Sequence, residues 1–188
     1  VNGTEGWRDA GLVSYWKMDS EFGFNDTLGR NNASQNTASA RPASTTGITK
    51  EAMIFDGSDD YVSTTSPVSN YPLTMSTWIK RIAGCDVLAL SDSTVLTDYL
   101  SIWAGGTYFI VARSPSVNDQ YDTGVAVSSG WNHIAGVFDS ATDRKMYVNG
   151  VLIASRTSSV NPSYNTLGMG IVPRSVGSPC EIFNGSIR

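Results

Sequence analysis

The chain is a succession of short apolar runs in which alternate residues match, and no stretch keeps a helical apolar spacing beyond two turns. Side chains on a strand point to opposite faces with period two, so runs of this kind bury one face by lying in a sheet. In "LTMSTWIKR" (Leu73 to Arg81), Leu73, Met75 and Ile79 share one face and Trp78 takes the other. "GLVSYWKM" (Gly11 to Met18) predicts another strand with one buried side, since Leu12, Trp16 and Met18 alternate with Val13, Tyr15 and Lys17. "AMIFDGSDDYVST" predicts two strands, Ala52 to Phe55 and Tyr61 to Ser63, about a Gly/Asp turn. "DVLALS", "YLSIWA" and "TYFIVAR" follow, the last two joined as a hairpin by Gly105-Gly106. "WNHIAGVFD" (Trp131 to Asp139) leads into "KMYV" and "VLIAS", joined by Asn149-Gly150, the dipeptide that most readily supplies the positive φ angles of a type I′ turn. "NTLGMGIV" and "CEIFNGSI" close the series.

About a dozen short strands without a long helix predict an all-β fold, a two-sheet antiparallel jelly-roll sandwich, because one open sheet of that size leaves a face and two edges wet. No internal repeat of fixed period is present, which disfavours a propeller or solenoid. From Asp19 to Lys50 the chain turns polar and reads as one long loop. With 188 residues, 40 % hydrophobic and 16 % charged, the expectation is a single domain spanning the sequence. Both ends read as cuts, by processing or by the boundaries of a larger polypeptide.

Seventeen acidic against thirteen basic residues give a net charge of −4, and the basic residues are scattered. Nucleic acid calls for a clustered basic stripe, and anionic lipid for a polybasic segment, so neither is expected as a partner. No run approaches the roughly 18 apolar residues of a membrane span, so no membrane insertion is expected. Cys85 and Cys180 suit one disulfide or two buried thiols equally. Asn-x-Ser/Thr triplets begin at Asn2, Asn25, Asn32 and Asn184, as chance supplies in a chain this rich in Asn, Ser and Thr.

"GLVSYWKMD", "AMIFDGSDDYV", "LTMSTWIK", "WNHIAGVFD", "MYVNGVLIAS" and a late "FNGSI" come in the order and approximate spacing of laminin-G-like domains of the concanavalin A-like lectin/glucanase superfamily, which the chain resembles from Gly11 to Arg188. The resemblance implies a jelly roll of two curved antiparallel sheets. It also gives a context for His133, the single histidine, which period two places on the same face as Trp131, Ala135 and Val137. That face is the more apolar of the two, so His133 is expected beneath the sheet, held by a local hydrogen bond. A catalytic histidine needs a nucleophile within about 3 Å and a third orienting group, and nothing local offers them. Glucanases of the superfamily use two carboxylates on one cleft. Here the glutamates are Glu5, Glu21, Glu51 and Glu181, none two residues from another acid within a strand, Asp19 and Glu21 being the nearest approach. No catalytic residue is assigned and no enzyme is expected.

Two acidic loop clusters are candidates for a hard cation, Ca2+ by preference, since calcium takes oxygens from carboxylates, amides and carbonyls. "DTLGRNN" resembles an element that follows the first strand in this family, and it nominates Asp19, Asp26 and Asn32 as ligands; the second cluster is "DGSDD", with Asp56, Asp59 and Asp60. Trp103, Tyr108 and Tyr121 are the aromatic candidates for stacking on a sugar, against the alternative that each belongs to the core. The expected function is a non-catalytic recognition module for carbohydrate or glycoprotein, serving adhesion within a larger extracellular, cell-surface or virion-surface protein. The alternative is a structural jelly-roll domain of a virion, tail fibre or surface layer, with neighbouring subunits as partners; a glycoside hydrolase comes third.

Overall fold

In the computed structural model, which describes residues 11–35, 41–84, 86–173 and 182–188, alternation becomes two antiparallel sheets of seven strands each. The strands in chain order are β1 (Ser34–Gln35), β2 (Ala43–Thr46), β3 (Glu51–Asp56), β4 (Val62–Thr65), β5 (Leu73–Ala83), β6 (Asp86–Ser91) and β7 (Tyr99–Ala104). They continue as β8 (Thr107–Ser114), β9 (Val117–Ala126), β10 (Asn132–Ser140), β11 (Asp143–Val148), β12 (Val151–Arg156), β13 (Thr166–Met169) and β14 (Asn184–Ile187). One sheet has the order β1-β4-β13-β6-β7-β8-β9 and the other β12-β11-β10-β5-β14-β3-β2. The result is the all-β jelly-roll sandwich expected of the laminin-G-like pattern, with no helix among the described residues. Cys85, Cys180 and Asn2 lie outside the described residues.

The inner faces carry the alternating apolar residues. Leu90, Leu100, Ile102 and Ile110 of the first sheet and Phe55, Ile79, Ile134, Phe138 and Met146 of the second are all fully buried. The Asn149-Gly150 turn adopts φ of 50° and 81°, as its hairpin requires, and holds Val148 opposite Val151.

Two sequence expectations change, and one strand is added that the sequence did not announce. Gly11 to Met18 is not a strand: its bridge is a single pair, Trp16 with Asp26, because the main chain there bonds to the Asp26 carboxylate and the adjoining loop rather than to a ladder. The stretch from Asp19 to Lys50 is not all loop, since it contributes the edge strands β1 and β2. The long strand β9 has too polar a sequence to read as one; it forms because β8 supplies a complete partner ladder.

β9 and β12 are the edge strands of the two sheets on one side of the sandwich, and a charged cluster closes the opening between them. Arg144 of β11 is fully buried and pairs with Asp119 of β9, while its other nitrogen donates to the carbonyls of Ala141 and Ser158 at 2.9 Å. Arg156 of β12 and the Ser158 hydroxyl bond the same carboxylate at 2.9 and 2.7 Å. Burial pushes the Asp119 pKa up, but the bonds from Arg156 and Ser158 and the charge of Arg144 outweigh it, leaving the value below the ordinary carboxylate range. A depressed folded pKa stabilises the fold above the unfolded value and ceases to do so as the pH falls through the folded one. Stability, measured by denaturant unfolding against pH, should therefore decline below about pH 4. Asp119→Asn should cost about 3–5 kcal/mol at neutral pH, as expected when a buried partner charge is left uncompensated, and should flatten that acid dependence.

Candidate functional site

Strand parity places a second, largely covered cluster on the outside of the first sheet, in which Tyr99, Ser101 and Val111 are buried and Trp103 and Phe109 are half-buried. Along β7, Leu100, Ile102 and Ala104 point to the core, so Tyr99, Ser101 and Trp103 point outward. β8 adds Phe109 and Val111, and β9 adds Gln120 opposite Val111. Trp103 and Phe109 are cross-strand partners with stacked rings, centroids 4.6 Å apart and planes inclined by 22°. Gln120 donates to the Tyr99 hydroxyl at 3.1 Å, and the Ser101 hydroxyl donates to the buried Asp86 carboxylate. Ala89, Tyr99, Val111 and Val172 form a small buried apolar cluster against which Trp103 and Phe109 pack. The half-exposed part of the Trp103 and Phe109 rings, with the exposed Gln120 amide beside Tyr99, combines the apolar face and hydrogen-bonding group that a sugar ring can use.

The structure does not bring the three nominated aromatics together. Trp103 is half-buried on this outer surface. Tyr108 is 1 % exposed and points into the core. Tyr121 also turns inward and packs against the core, with the Arg156 guanidinium 4.4 Å from its ring centroid. Phe109, Tyr99 and Gln120 went unnominated, although the parity of "YLSIWA" and "TYFIVAR" already groups Tyr99 with Trp103 and Phe109.

Asp26 holds its loop together from within. Its two carboxylate oxygens accept the backbone N–H groups of Tyr15, Leu28, Arg30 and Asn31 at 2.9–3.3 Å. Burial raises its pKa and these four bonds lower it further, to a value below the ordinary one. Asn32 is tied in too, its side-chain oxygen accepting the Asp26 N–H at 3.1 Å. Asp19 accepts the Phe22 N–H at 2.9 Å and lies 4.0 Å from the Arg188 guanidinium. Each Asp26 oxygen thus already accepts two main-chain donors, whereas Asp19 and Asn32 each accept one.

The second cluster is different. One ligand oxygen from each of Asp56, Asp59 and Asp60 lies within 4.8 Å of the others, with Asp60 buried. Asp60 accepts the Asp56 N–H at 3.0 Å, and Asp56 that of Ser58 at 2.7 Å. Burial raises the Asp60 pKa, the bond from Asp56 opposes this, and the charges of Asp56 and Asp59 add to the rise. Gathered carboxylates that repel one another suit a hard divalent cation.

His133 sits on the outer face of the second sheet, not beneath it. Asn132, Ile134, Gly136 and Phe138 are the buried positions of β10, and Asn132 fills its place by bonding Ser128 and Gly130. Counting apolar residues chose the wrong face because a buried asparagine and a glycine occupy the inner one. The His133 ring packs edge-to-face on Trp78, its cross-strand partner, with centroids 5.3 Å apart and planes at 61°; burial lowers its pKa.

A laminin-G family model described as the concanavalin A-like lectin/glucanases superfamily matches residues 56–188. No curated protein matches. Among solved structures, domain 4 of AbnA, a GH43 extracellular arabinanase from Geobacillus stearothermophilus in complex with arabinotriose, is 18 % identical with a TM-score of 0.75, covering 94 % of this chain and 88 % of its own. A structure of botulinum neurotoxin type C, whose cell entry depends upon interaction with two ganglioside molecules, is 16 % identical at TM-score 0.63, over 94 % of this chain and 46 % of the toxin chain. Domains LG4-5 of the mouse laminin α1 chain are 12 % identical at TM-score 0.54, over 78 % and 40 %. At these identities the likeness is one of fold.

His133→Ala should lower stability by about 0.5–1.5 kcal/mol, the worth of an aromatic edge contact beyond its area, in denaturant unfolding. Asp26→Ala, which strips four backbone donors of their acceptor, should lower it more, with or without calcium.

Proposed function

Since the chain belongs to the concanavalin A-like lectin/glucanase superfamily, we propose that it is a non-catalytic carbohydrate-recognition module, one jelly-roll domain of a larger extracellular or surface protein. The observation that carries this reading is the Trp103–Phe109 stack on the outer face of the first sheet, bordered by Gln120 and Tyr99. A rigid aromatic slab loses little conformational entropy on binding a sugar, and the amide beside it can select hydroxyl positions. The arabinotriose-bound and ganglioside-dependent proteins that share this fold support carbohydrate or glycoprotein as the partner class. His133 has Trp78 as its ring partner, in the manner of a packing residue.

Trp103→Ala should reduce binding to the best ligand on a broad glycan array by at least about tenfold, equivalent to 1.4 kcal/mol. Tyr121→Ala should leave that affinity unchanged, because its ring faces inward. An array without binders, measured on folded protein, would leave the assembly role standing in place of this one.

Calcium belongs to this reading at Asp56, Asp59 and Asp60, whose carboxylates would supply its oxygens and whose mutual repulsion it would relieve. A ligand that binds only the folded state raises stability by about 2.7 kcal/mol at a hundred times its Kd. Thermal melts should shift upward with calcium and back with chelator, and Asp60→Asn should abolish the shift while raising the melting temperature of the chelated protein. Equal melts in calcium and chelator would remove the ion.

A further inference from the structure

The sequence holds three Asn-Gly pairs, and in such a pair the glycine nitrogen, unshielded by a side chain, can attack the asparagine Cγ. Asn184-Gly185 sits inside β14, where Gly185 is buried and paired with Phe55 on one side and Arg81 on the other. Asn149-Gly150 is the opposite case. Both residues are exposed at the tip of the β11–β12 hairpin, and a Cβ placed on Gly150 would meet nothing within 4 Å.

Water reaches this tip, yet the Asn149 amide is turned away from its glycine. Its Oδ1 accepts the His133 N–H at 2.9 Å, while the Asn149 main-chain N–H donates to the His133 carbonyl at 2.8 Å. The side chain thus ends the β10–β11 ladder in place of a main-chain carbonyl. Its Nδ2 donates to Oδ1 of Asn132 at 3.1 Å. Asn132 is itself pinned: only 2 % exposed, it donates to the Ser128 and Gly130 carbonyls at 3.2 and 3.0 Å and accepts the Ser128 hydroxyl at 2.8 Å. Both polar ends of the Asn149 amide therefore bond β10, whereas Gly150 leads the chain on towards β12. A ring-closing attack needs its reacting atoms in near contact and aligned, so both amide bonds must break before it can begin.

We propose that Asn149 is a deamidation site gated by opening of the hairpin tip. In the opened tip the Gly150 nitrogen bonds to Asn149 Cγ and gives up its proton, and the amide nitrogen leaves with it as ammonia. A five-membered succinimide remains. Water then adds to one of its two carbonyls and breaks that carbon's bond to nitrogen, giving aspartate, or isoaspartate with the main chain running through Cγ. Neither product restores the closed network. Aspartate has no N–H for Asn132 and sets a carboxylate against its Oδ1, and Asn132 cannot offer its own donors without releasing Ser128 and Gly130. Isoaspartate adds a main-chain carbon to a two-residue turn whose φ values, 50° and 81°, suit the ordinary count. Each conversion is therefore one-way.

The test is peptide mapping of the folded protein incubated at neutral pH, beside an unstructured synthetic peptide of Tyr147 to Ile153, reading the mass gain of amide-to-acid conversion at Asn149. The folded protein should convert at least about tenfold more slowly than the peptide, and that ratio should match the hydrogen-exchange protection of the His133 amide, whose bond to Asn149 must open first, within about threefold. Asn132→Ala should speed conversion at Asn149 by at least about tenfold and leave Asn184 unchanged. Asn149→Asp, the product itself, should melt at a lower temperature than the unconverted protein. Conversion in the folded protein as fast as in the peptide would overturn the proposal, as would an Asn149 that stays intact long after His133 exchange has registered the openings that should convert it. An unchanged rate in folded Asn132→Ala would also overturn it; if that variant does not fold, the match between conversion and His133 exchange in the unmutated protein decides alone.

Discussion

The close approach of the two sheets at Gly136 is the constraint on which the sandwich depends. A Cβ built at that glycine would lie 2.4 Å from the Ile102 side chain of the facing sheet and 3.0 Å from Phe138. Both neighbours are fully buried and have nowhere to move. The missing side chain lets Ile134, Phe138 and Met146 interlock with Leu100, Ile102 and Ile110 at the density of a crystal, which is where a sandwich core gains its dispersion energy. Large apolar residues further out can then close around that contact.

Polar devices finish what packing begins. The Arg144–Asp119–Arg156 cluster lies where β9 and β12, the edges of different sheets, come together, and it ties them across the opening. An ion pair this buried stabilises little compared with an apolar filling of equal volume, but it penalises any other register, since a shifted edge leaves a charge unpaired. Asn132 works in the same way at a turn, satisfying Ser128, Gly130 and Asn149 from a core position. Asp26 does so for the loop after the first segment.

These roles divide the polar residues into those that build and those left over for recognition. Asp26, Asn32, Asp119 and Asn132 spend their oxygens on the protein itself. Asp56, Asp59 and Asp60 bring three carboxylates together at one turn, and Trp103 and Phe109 stack half-exposed beside the small cluster on the outside of the first sheet. The outer face of the first sheet can serve in this way because its inward residues alone complete the core, leaving the alternate positions to other chemistry.

Alternation and turn chemistry, both local, were enough to determine β3 to β8 and β10 to β14, the Asn149-Gly150 hairpin and the inward face of β5 in this protein. The family likeness, too, is carried by short motifs in order. What the sequence left open depends on neighbours distant in the chain. β9 becomes a strand because β8 pairs with it, and Gly11 to Met18 does not because its bonds go elsewhere. His133 turned outward because the inner row of β10 accepted Asn132 and Gly136, which a count of apolar residues ranks low. That the loop wraps four N–H groups around Asp26 was likewise not legible from its sequence. Tyr108 and Tyr121 looked equal to Trp103 until the sheets met over them. Side-chain chemistry is written in the chain; which groups that chemistry faces was decided only by packing, because burial and hydrogen-bond partners are properties of the assembled sheets.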